Sequence, residues 1–170
     1  DRIENPYISD FYEDMQRWSF NLQLYFLNTR WQRIQEIRKG EKTVIQDRTI
    51  YEDAHIFAPN LHAMGLMSTR DFENYNRLFD NIKQQIEAPD LLIFLRAGIP
   101  KLVDQIQMRG RDYEDAIRLD YLKRLNERYE AWIADYKLGP LLIFNTDEMN
   151  FQENPDDLSH IINQVESTLN

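Results

Sequence analysis

The chain has 170 residues, of which 42% are apolar and 29% are charged, with a net charge of −9 and no cysteine. That length fits one domain over residues 1–170 with a substantial core. The acidic balance argues against a nucleic-acid partner, because phosphate contacts require an excess of Lys and Arg. The lack of cysteine excludes disulfides, thiol nucleophiles and cysteine metal sites, and it suits a cytoplasmic protein.

The sequence shows neither a membrane span nor a secretion signal. No apolar run approaches the roughly 18 residues of a transmembrane helix. The first ten residues, DRIENPYISD, lack the basic and apolar regions of a signal peptide, and they lack an initiator Met. We therefore expect a protein with no membrane partner, and a chain that begins partway into a longer protein.

Hydrophobic periodicity divides the chain into helices and short strands. Apolar stripes at helical spacing predict helices at residues 10–39, 50–58, 69–87, 100–108, 116–137 and 155–169. Runs that are apolar throughout, without a helical period, predict buried strands near 43–48, 90–96 and 141–146. Ser68, followed three residues later by Asp71, resembles a capping box at the start of the third helix.

The alternation of strands and helices indicates an α/β fold with a parallel sheet that helices cover on both faces. In such sheets, ligands bind just beyond the C-terminal ends of the strands. Three polar groups lie at these predicted ends, namely Asp47 with Arg48, Arg96, and the segment 145–147. We expect a ligand at this edge of the sheet.

Tyr12, Gln23 and Arg30 are separated by 11 and 7 residues. Both separations are close to whole helical turns, so the three side chains share one face if the helix extends back to Tyr12. An amide can pair with the edge of a base, and a guanidinium offers a fork of donors. The alternative is a polar strip that only faces solvent.

Asp53 and Phe57 are four residues apart, so they share a face of the predicted short helix. The ring could stack on a planar ligand while the carboxylate accepts its N–H groups. Asp47 and Arg48 could instead form a local ion pair at the strand end. An exposed pair of that kind contributes only about 0–1 kcal/mol, which makes stability a weak reason for its position.

The segment RGRDYE places Arg109, Arg111 and Glu114 between two predicted helices, beside a glycine. Arginines on a mobile loop suit the negative charge of a transferring phosphoryl group. An exposed turn is the alternative, and the motif by itself is weak. The three histidines lack the spacing of metal ligands, so no protein metal site is expected.

Taken together, these residues resemble the deoxynucleoside kinase family, which includes kinases of deoxycytidine, deoxyguanosine and deoxyadenosine. The resemblance rests on four stretches in family order: FYEDMQRWSFNLQLYFLNTR, VIQDRTIYEDAHIFAPN, IQMRGRDYE and IRLDYLKRLNERYEAW. They span nearly the whole chain and are most similar to the bacterial purine-type members. The family implies a P-loop kinase-like parallel sheet, ATP with Mg²⁺, and a homodimer.

The resemblance also implies roles for the residues of the nucleoside site. Gln23 reads the base edge, Arg30 and Asp53 flank the base, and Phe57 stacks on it. The sugar 3′-hydroxyl is held by Tyr12 and Glu114, and Tyr121 lines the site.

For the phosphates, the family's Glu-Arg-Ser motif corresponds here to Asp47, Arg48 and Thr49. Arg48 is implied to contact the 5′-hydroxyl and phosphate region, with Asp47 as the shorter acid beside it. Arg109 and Arg111 belong to the lid over the ATP phosphates. Gln105 stands where some members have a further lid arginine.

One part of the family pattern does not occur in the sequence. Members begin with a strand, a Gly-rich phosphate loop of the type G-x-x-x-x-G-K-S/T, a helix and a second strand. The five glycines of this chain do not form that loop. We therefore expect a nucleoside site and a lid without the ATP cradle, and we expect upstream residues to complete the sheet.

Three functions remain open from the residues. The first is a kinase that transfers the γ-phosphoryl group of ATP to the 5′-hydroxyl of deoxyadenosine, deoxyguanosine or deoxycytidine. The second is a relative that binds nucleosides without chemistry. The third is another P-loop nucleotide kinase, which the Gln23, Arg30 and Asp53 set disfavours because no matching basic site for a substrate phosphate accompanies it.

Overall fold

The computed structural model of the chain describes residues 5–110 and 119–170. Its residues form two compact units. The first contains residues 1–86 and 116–129, and the second contains 87–115 and 130–170. The expectation of a single domain stays a prediction. Within the described ranges, no helix is both long enough and apolar enough to cross a membrane.

The regular secondary structure of the first unit, within its described residues, is helical. In chain order, its helices are α1 (Ile8–Glu13), α2 (Met15–Lys39), α3 (Ile50–Glu52), α4 (Ala58–Ala63), α5 (Thr69–Lys83) and the first part of α7 (Leu119–Ala134). A single π-helical turn over Asp53–Phe57 joins α3 to α4. Helix α2 lies centrally and packs against α1, α3, α4, α5 and the π turn.

Side-chain caps explain where these helices begin. Asp14 accepts a hydrogen bond from the backbone N–H of Arg17 and starts α2. The hydroxyl of Ser68 accepts from the backbone N–H of Asp71 at 3.1 Å and donates to its carboxylate at 2.8 Å, which confirms the predicted N-terminus of α5. The two bonds from backbone N–H groups each satisfy an amide that the first helical turn leaves unpaired.

The core of the first unit forms where the apolar faces of α2, the 50–63 segment and α5 meet. The side chains that are buried most completely are Leu27, Ile50, Ile56, Leu61 and Tyr75. They come from α2, from the continuous segment that contains α3, the π turn and α4, and from α5. This packing holds the polar residues on the adjoining faces in fixed positions.

The second unit contains the sheet. Its strands are β1 (Leu92–Arg96) and β2 (Leu141–Asn145), which pair in parallel in the register Leu92 to Leu141. Its helices are α6 (Ile99–Arg109), the end of α7, and α8 (Pro155–Leu169). Gly110 adopts a left-handed φ of 58° and ends α6, a conformation that a side chain disfavours. The parallel sheet and the 155–169 helix confirm the predictions.

The predicted buried strand at 43–48 is wrong. Residues 43–48 have no strand structure, and Ile45 is 94% exposed. A strand needs a neighbour for its backbone groups, and no described segment pairs with this one. The β-branched residues of this segment favour a strand, but without a pairing partner the strand does not form.

The predicted helix over 10–39 is two helices. The chain breaks at Asp14, whose φ of −142° and ψ of 84° are not helical. The predicted helix at 50–58 continues to Ala63, because Pro59 occupies a first-turn position of α4 where its missing N–H costs nothing. The break separates Tyr12 on α1 from Gln23 and Arg30 on α2.

Several apolar side chains of the second unit are partly exposed. In the two described strands they are Ile93, Leu95 and Ile143, and in α8 they are Leu158, Ile162 and Leu169.

Candidate functional site

A buried ion pair joins α2 to the π turn. Arg30 Nη1 donates to Asp53 Oδ2 over 2.7 Å. The Asp53 side chain is 2% exposed and that of Arg30 is 14% exposed. The guanidinium also lies 4.9 Å from the centre of the Phe26 ring. Burial raises the pKa of Asp53 to about 7, against the opposing charge of Arg30.

The π turn places Asp53 and Phe57 in one cluster. Its widened bonding, seen in the N–H of Ala58 donating to the carbonyl of Asp53, adds a residue to the turn. Asp53 faces Arg30, while the Phe57 ring lies under the guanidinium of Arg48 at 5.0 Å. Asp53 and Phe57 were predicted to share one face of an ordinary helix. In the structure a π-helical turn carries both residues, and both lie near Arg48.

Gln23 lies two turns before Arg30 on α2 and is 3% exposed. Its side-chain oxygen is buried and has no hydrogen-bond partner among the described residues. A buried acceptor without a donor costs about 1–3 kcal/mol, which a ligand donor would recover. The amide is thus suited to reading a polar edge of a bound molecule.

Arg48 occupies a strained backbone position. Its φ is 62°, in the left-handed region that residues other than glycine rarely adopt. Desolvation lowers the pKa of its guanidinium, but electrostatic interactions with Tyr129 and with the carboxylates of Asp47, Asp53 and Glu52 outweigh that effect and raise the pKa above its ordinary value. Arg48 therefore carries a permanent positive charge beside the Phe57 ring.

A capping box follows Arg48 directly. The hydroxyl of Thr49 accepts from the backbone N–H of Tyr51 at 3.1 Å. The Glu52 carboxylate accepts from the Thr49 backbone N–H at 2.8 Å and from the Thr49 hydroxyl. Asp47, on the other side of Arg48, is exposed. The capping box holds the backbone that follows Arg48 in place, and it pairs the buried Glu52 carboxylate with Thr49.

Tyrosines surround the charged cluster. The Tyr129 ring lies 6.1 Å from the Phe57 ring, and burial raises the pKa of Tyr129 to about 12. Burial also raises the pKa of Tyr121, with a further contribution from Tyr12 and an opposing one from Arg48. These phenols stay protonated at neutral pH and can donate hydrogen bonds.

The structure relates four of the predicted site residues by contact or electrostatic interaction, namely Arg30, Arg48, Asp53 and Phe57. Tyr121 interacts electrostatically with Tyr12 and Arg48, and Gln23 lies on the same helix as Arg30. Sequence reasoning missed Tyr129 and Phe26 as members of the cluster. Phe26 precedes Arg30 by one helical turn, so its spacing could have been used. No sequence pattern around Tyr129 predicts its contact with Phe57, because that contact depends on how α7 packs.

The polar residues at the ends of β1 and β2 are engaged within the second unit. Arg96 binds Glu130 through two hydrogen bonds of 2.9 and 2.7 Å. The Asp147 carboxylate accepts from the backbone N–H of Gly98 at the start of α6. These groups lie at strand ends as predicted, and they secure the loops that follow the strands.

Of the predicted lid, Arg109 is the last residue of α6 and is exposed. Arg111 and Glu114 lie outside the described residues, so their predicted roles stay predictions. In the part of the chain that the structure covers, no group of three or more His, Asp or Glu side chains could hold a metal ion.

Comparison with known proteins shows the same family along the whole chain. A sequence profile described as deoxynucleoside kinase matches residues 1–170. A deoxyadenosine/deoxycytidine kinase of Bacillus subtilis is 34% identical over 168 residues, which are 97% of this chain and 77% of that protein. A deoxyadenosine kinase of Dictyostelium discoideum is 37% identical, over 94% of this chain and 64% of that protein.

The fold agrees with a solved structure of the same family. The deoxyadenosine kinase of M. mycoides, with the products dCMP and a flexible dCDP bound, superposes with a TM-score of 0.85. The two chains are 26% identical, and the match covers 96% of this chain and 82% of the other. Such structures have a P-loop kinase fold, which confirms the predicted fold class.

Proposed function

The chain belongs to the deoxynucleoside kinase family, and we propose that it binds a deoxynucleoside in the first unit and supports transfer of the ATP γ-phosphoryl group to its 5′-hydroxyl. Members of the family are ATP-dependent phosphotransferases. The observation that carries the proposal is the buried Arg30–Asp53 pair with the unpartnered amide oxygen of Gln23 on the same helix face.

A buried ion pair contributes little to folding stability, because desolvation of the two charges offsets much of their attraction. It is well suited to ligand recognition, since its polar atoms are already held in place. Arg30 and Asp53 together offer donors and an acceptor to a base, and Gln23 adds an acceptor. Phe57 supplies an apolar ring for the base face.

We propose that Arg48 meets the charge that develops during phosphoryl transfer. The bond between the γ-phosphorus and its bridging oxygen breaks while the 5′-oxygen bonds to phosphorus and gives its proton to a carboxylate base. A guanidinium held beside Phe57 is positioned before the reaction and stabilises the equatorial oxygens. Arg109 and Arg111 are proposed to close over the ATP phosphates.

The sugar and the metal have separate requirements. Tyr12 and Glu114 are proposed to hold the 3′-hydroxyl of the sugar. Tyr121, which interacts electrostatically with Tyr12, is proposed to line the site. The described residues do not form a Mg²⁺ site of their own. We therefore propose that Mg²⁺ arrives with the phosphates of ATP, and we assign no step to it here.

The charged pair also bears on which base is accepted. Adenine, guanine and cytosine each offer an N–H group that a carboxylate can accept, whereas thymine offers a carbonyl and a methyl group in that region. A polar site that meets the wrong partner loses roughly several kcal/mol. We propose that deoxyadenosine is preferred, that deoxyguanosine or deoxycytidine comes second, and that thymidine is poor.

Assembly and location are proposed from the family resemblance. We propose a homodimer in the cytoplasm, with no nucleic-acid and no membrane partner. The molar mass of the natural protein in light scattering tests the dimer, and a single-chain mass would contradict it.

The deciding experiment is a measurement of kcat/KM for the four deoxynucleosides with ATP, using the natural full-length protein. Phosphorylation of deoxyadenosine with thymidine at least tenfold poorer supports the proposal. Tight nucleoside binding by calorimetry without any phosphoryl transfer would instead show a binding relative. Failure to bind any deoxynucleoside would contradict both.

A further inference from the structure

Tyr75 is a fully buried tyrosine of α5 whose role does not follow from core packing alone. Its relative exposure is 0%. Its hydroxyl has no hydrogen-bond partner within residues 5–110 and 119–170. An unpaired buried hydroxyl costs about 1–3 kcal/mol, and Phe would fill the same space without that cost. The sequence therefore retains a buried oxygen that has no partner among the described residues.

The charged groups that interact electrostatically with this hydroxyl belong to the proposed base site. Burial raises the pKa of Tyr75, the Asp53 carboxylate raises it further, and the Arg30 guanidinium lowers it. The phenol therefore keeps its proton and holds one O–H donor beside the ion pair. Helix α5, which carries Tyr75, packs directly against α2, which carries Arg30.

We propose that Tyr75 is a positioning residue that donates its O–H to the Asp53 carboxylate when a nucleoside is bound. Among the described residues, the Asp53 carboxylate accepts a hydrogen bond from Arg30, and the Tyr75 hydroxyl has no partner. A bound base competes for the Arg30 donors and for the Asp53 carboxylate, so the carboxylate needs a second donor to remain ionised. Tyr75 supplies that donor. The inference rests on the proposed function of the Arg30–Asp53 site.

Other groups also act on the Asp53 carboxylate. In the described part of the chain they are Arg30 on α2, Arg48 before α3, Glu52 on α3, Tyr75 on α5 and Tyr129 on α7. Glu52 is already engaged by the capping box. Arg48 lies over Phe57, and Tyr129 has its ring against Phe57. Tyr75 is the member of this group with a buried oxygen that lacks a partner.

The test compares Tyr75→Phe with a matched control in the natural full-length protein. Tyr51→Phe is the control, because Tyr51 is also buried in the first unit and packs its ring against Phe79. Without ligand, Tyr75→Phe should raise Tm by about 2–4 °C, since it removes an unpaired buried group. With ligand, its Kd for deoxyadenosine should rise about tenfold, while kcat changes less than about twofold.

Two further readouts separate positioning from packing. Below pH 7 the affinity of the wild-type protein for deoxyadenosine should fall as the pH falls, because Asp53 gains a proton. In Tyr75→Phe the bound Asp53 loses a donor, so its pKa in the complex should be higher and the affinity should fall over a narrower pH range. In an Asp53→Asn background, Tyr75→Phe should add no further loss of affinity, because its partner charge is gone.

The inference is overturned if Tyr75→Phe binds deoxyadenosine as tightly as wild type, or if its loss is equally large in the Asp53→Asn background. Failure of Tyr75→Phe to fold would also overturn it, because the hydroxyl would then be a structural group. If the wild-type protein binds no deoxynucleoside, the proposed function fails instead. The Tm comparison still tests the unpaired hydroxyl in that case.

Discussion

Arg30 and Asp53 form a 2.7 Å ion pair in which the carboxylate is almost completely removed from solvent. The two residues are 23 positions apart and belong to different helices. Burial nevertheless raises the pKa of Asp53 to about 7, so the pair stands close to the point at which the carboxylate takes up a proton. Stability and the proposed recognition of the base therefore both depend on the Asp53 side chain.

The first prediction concerns the pH dependence of stability. In the folded protein the pKa of Asp53 is about 7, above its ordinary value of 3.8. Between these values the folded chain holds a proton that the unfolded chain has released, so the free energy of unfolding should fall as pH rises from about 4 to about 7. One such group contributes a slope of at most about 1.4 kcal/mol per pH unit.

Urea denaturation between pH 4.5 and 8 measures this slope. Asp53→Asn should remove the Asp53 contribution and flatten the profile over that range. The control is Asp90→Asn, which changes an exposed aspartate of the second unit and should leave the slope as it is. An unchanged slope in Asp53→Asn would contradict the raised pKa.

The second prediction concerns the two members of the pair. Arg30→Met leaves a buried carboxylate without its cation, and loss of one partner of a buried pair costs about 3–5 kcal/mol. The cost should be greatest above pH 7, where Asp53 has to be charged. The double variant Arg30→Met with Asp53→Ala should be more stable than Arg30→Met alone, as measured by Tm at pH 8.

The same double variant should accept thymidine better than the wild type does. Removing both charges eliminates the mismatch with a thymine carbonyl without leaving one ion unpaired. The measurement is the ratio of kcat/KM for thymidine to that for deoxyadenosine. A wild-type enzyme that already prefers thymidine would show that the roles assigned to Arg30 and Asp53 are wrong.

The third prediction concerns catalysis by arginine. Arg48→Ala and Arg111→Ala should lower kcat by about tenfold or more while changing nucleoside affinity little, because both guanidiniums are proposed to meet charge that develops in the transition state. Steady-state kinetics with varied nucleoside separates the two effects. A rise in nucleoside Kd with unchanged kcat would contradict the assignment.

The left-handed backbone of Arg48 allows a comparison of two variants, Arg48→Gly and Arg48→Ala. Its φ of 62° costs an alanine about 1–2 kcal/mol and a glycine almost nothing. Arg48→Gly should therefore be more stable than Arg48→Ala, while both lose turnover to the same extent. Equal stability of the two variants would show that the left-handed conformation is absent in solution.

The fourth prediction concerns the capping box after Arg48. Thr49→Ala removes the hydroxyl that accepts from Tyr51 and contacts Glu52, and it should lower the free energy of unfolding by about 0.5–2 kcal/mol. Thr49→Ser keeps the hydroxyl and should stay close to wild type. Equal losses in both variants would point to the methyl group and against the cap.

Local chemistry was sufficient to locate several features from the sequence. Ser68 with Asp71 predicted the start of α5, because a cap depends only on residues three apart. Continuous apolar runs at 90–96 and 141–146 predicted β1 and β2, since such runs are typical of strands in a parallel sheet. The seven-residue spacing of Gln23 and Arg30 placed them on one face of α2.

Contacts between distant elements decided the rest. The segment at 43–48 has the composition of a strand, but a strand exists only with a neighbour, and none of the described segments pairs with it. The proximity of Arg30 to Asp53 and of Tyr129 to Phe57 depends on how α2, the π turn and α7 pack. The raised pKa of Asp53 and the unpaired hydroxyl of Tyr75 both follow from burial. That burial depends on the packing of elements that are distant in sequence.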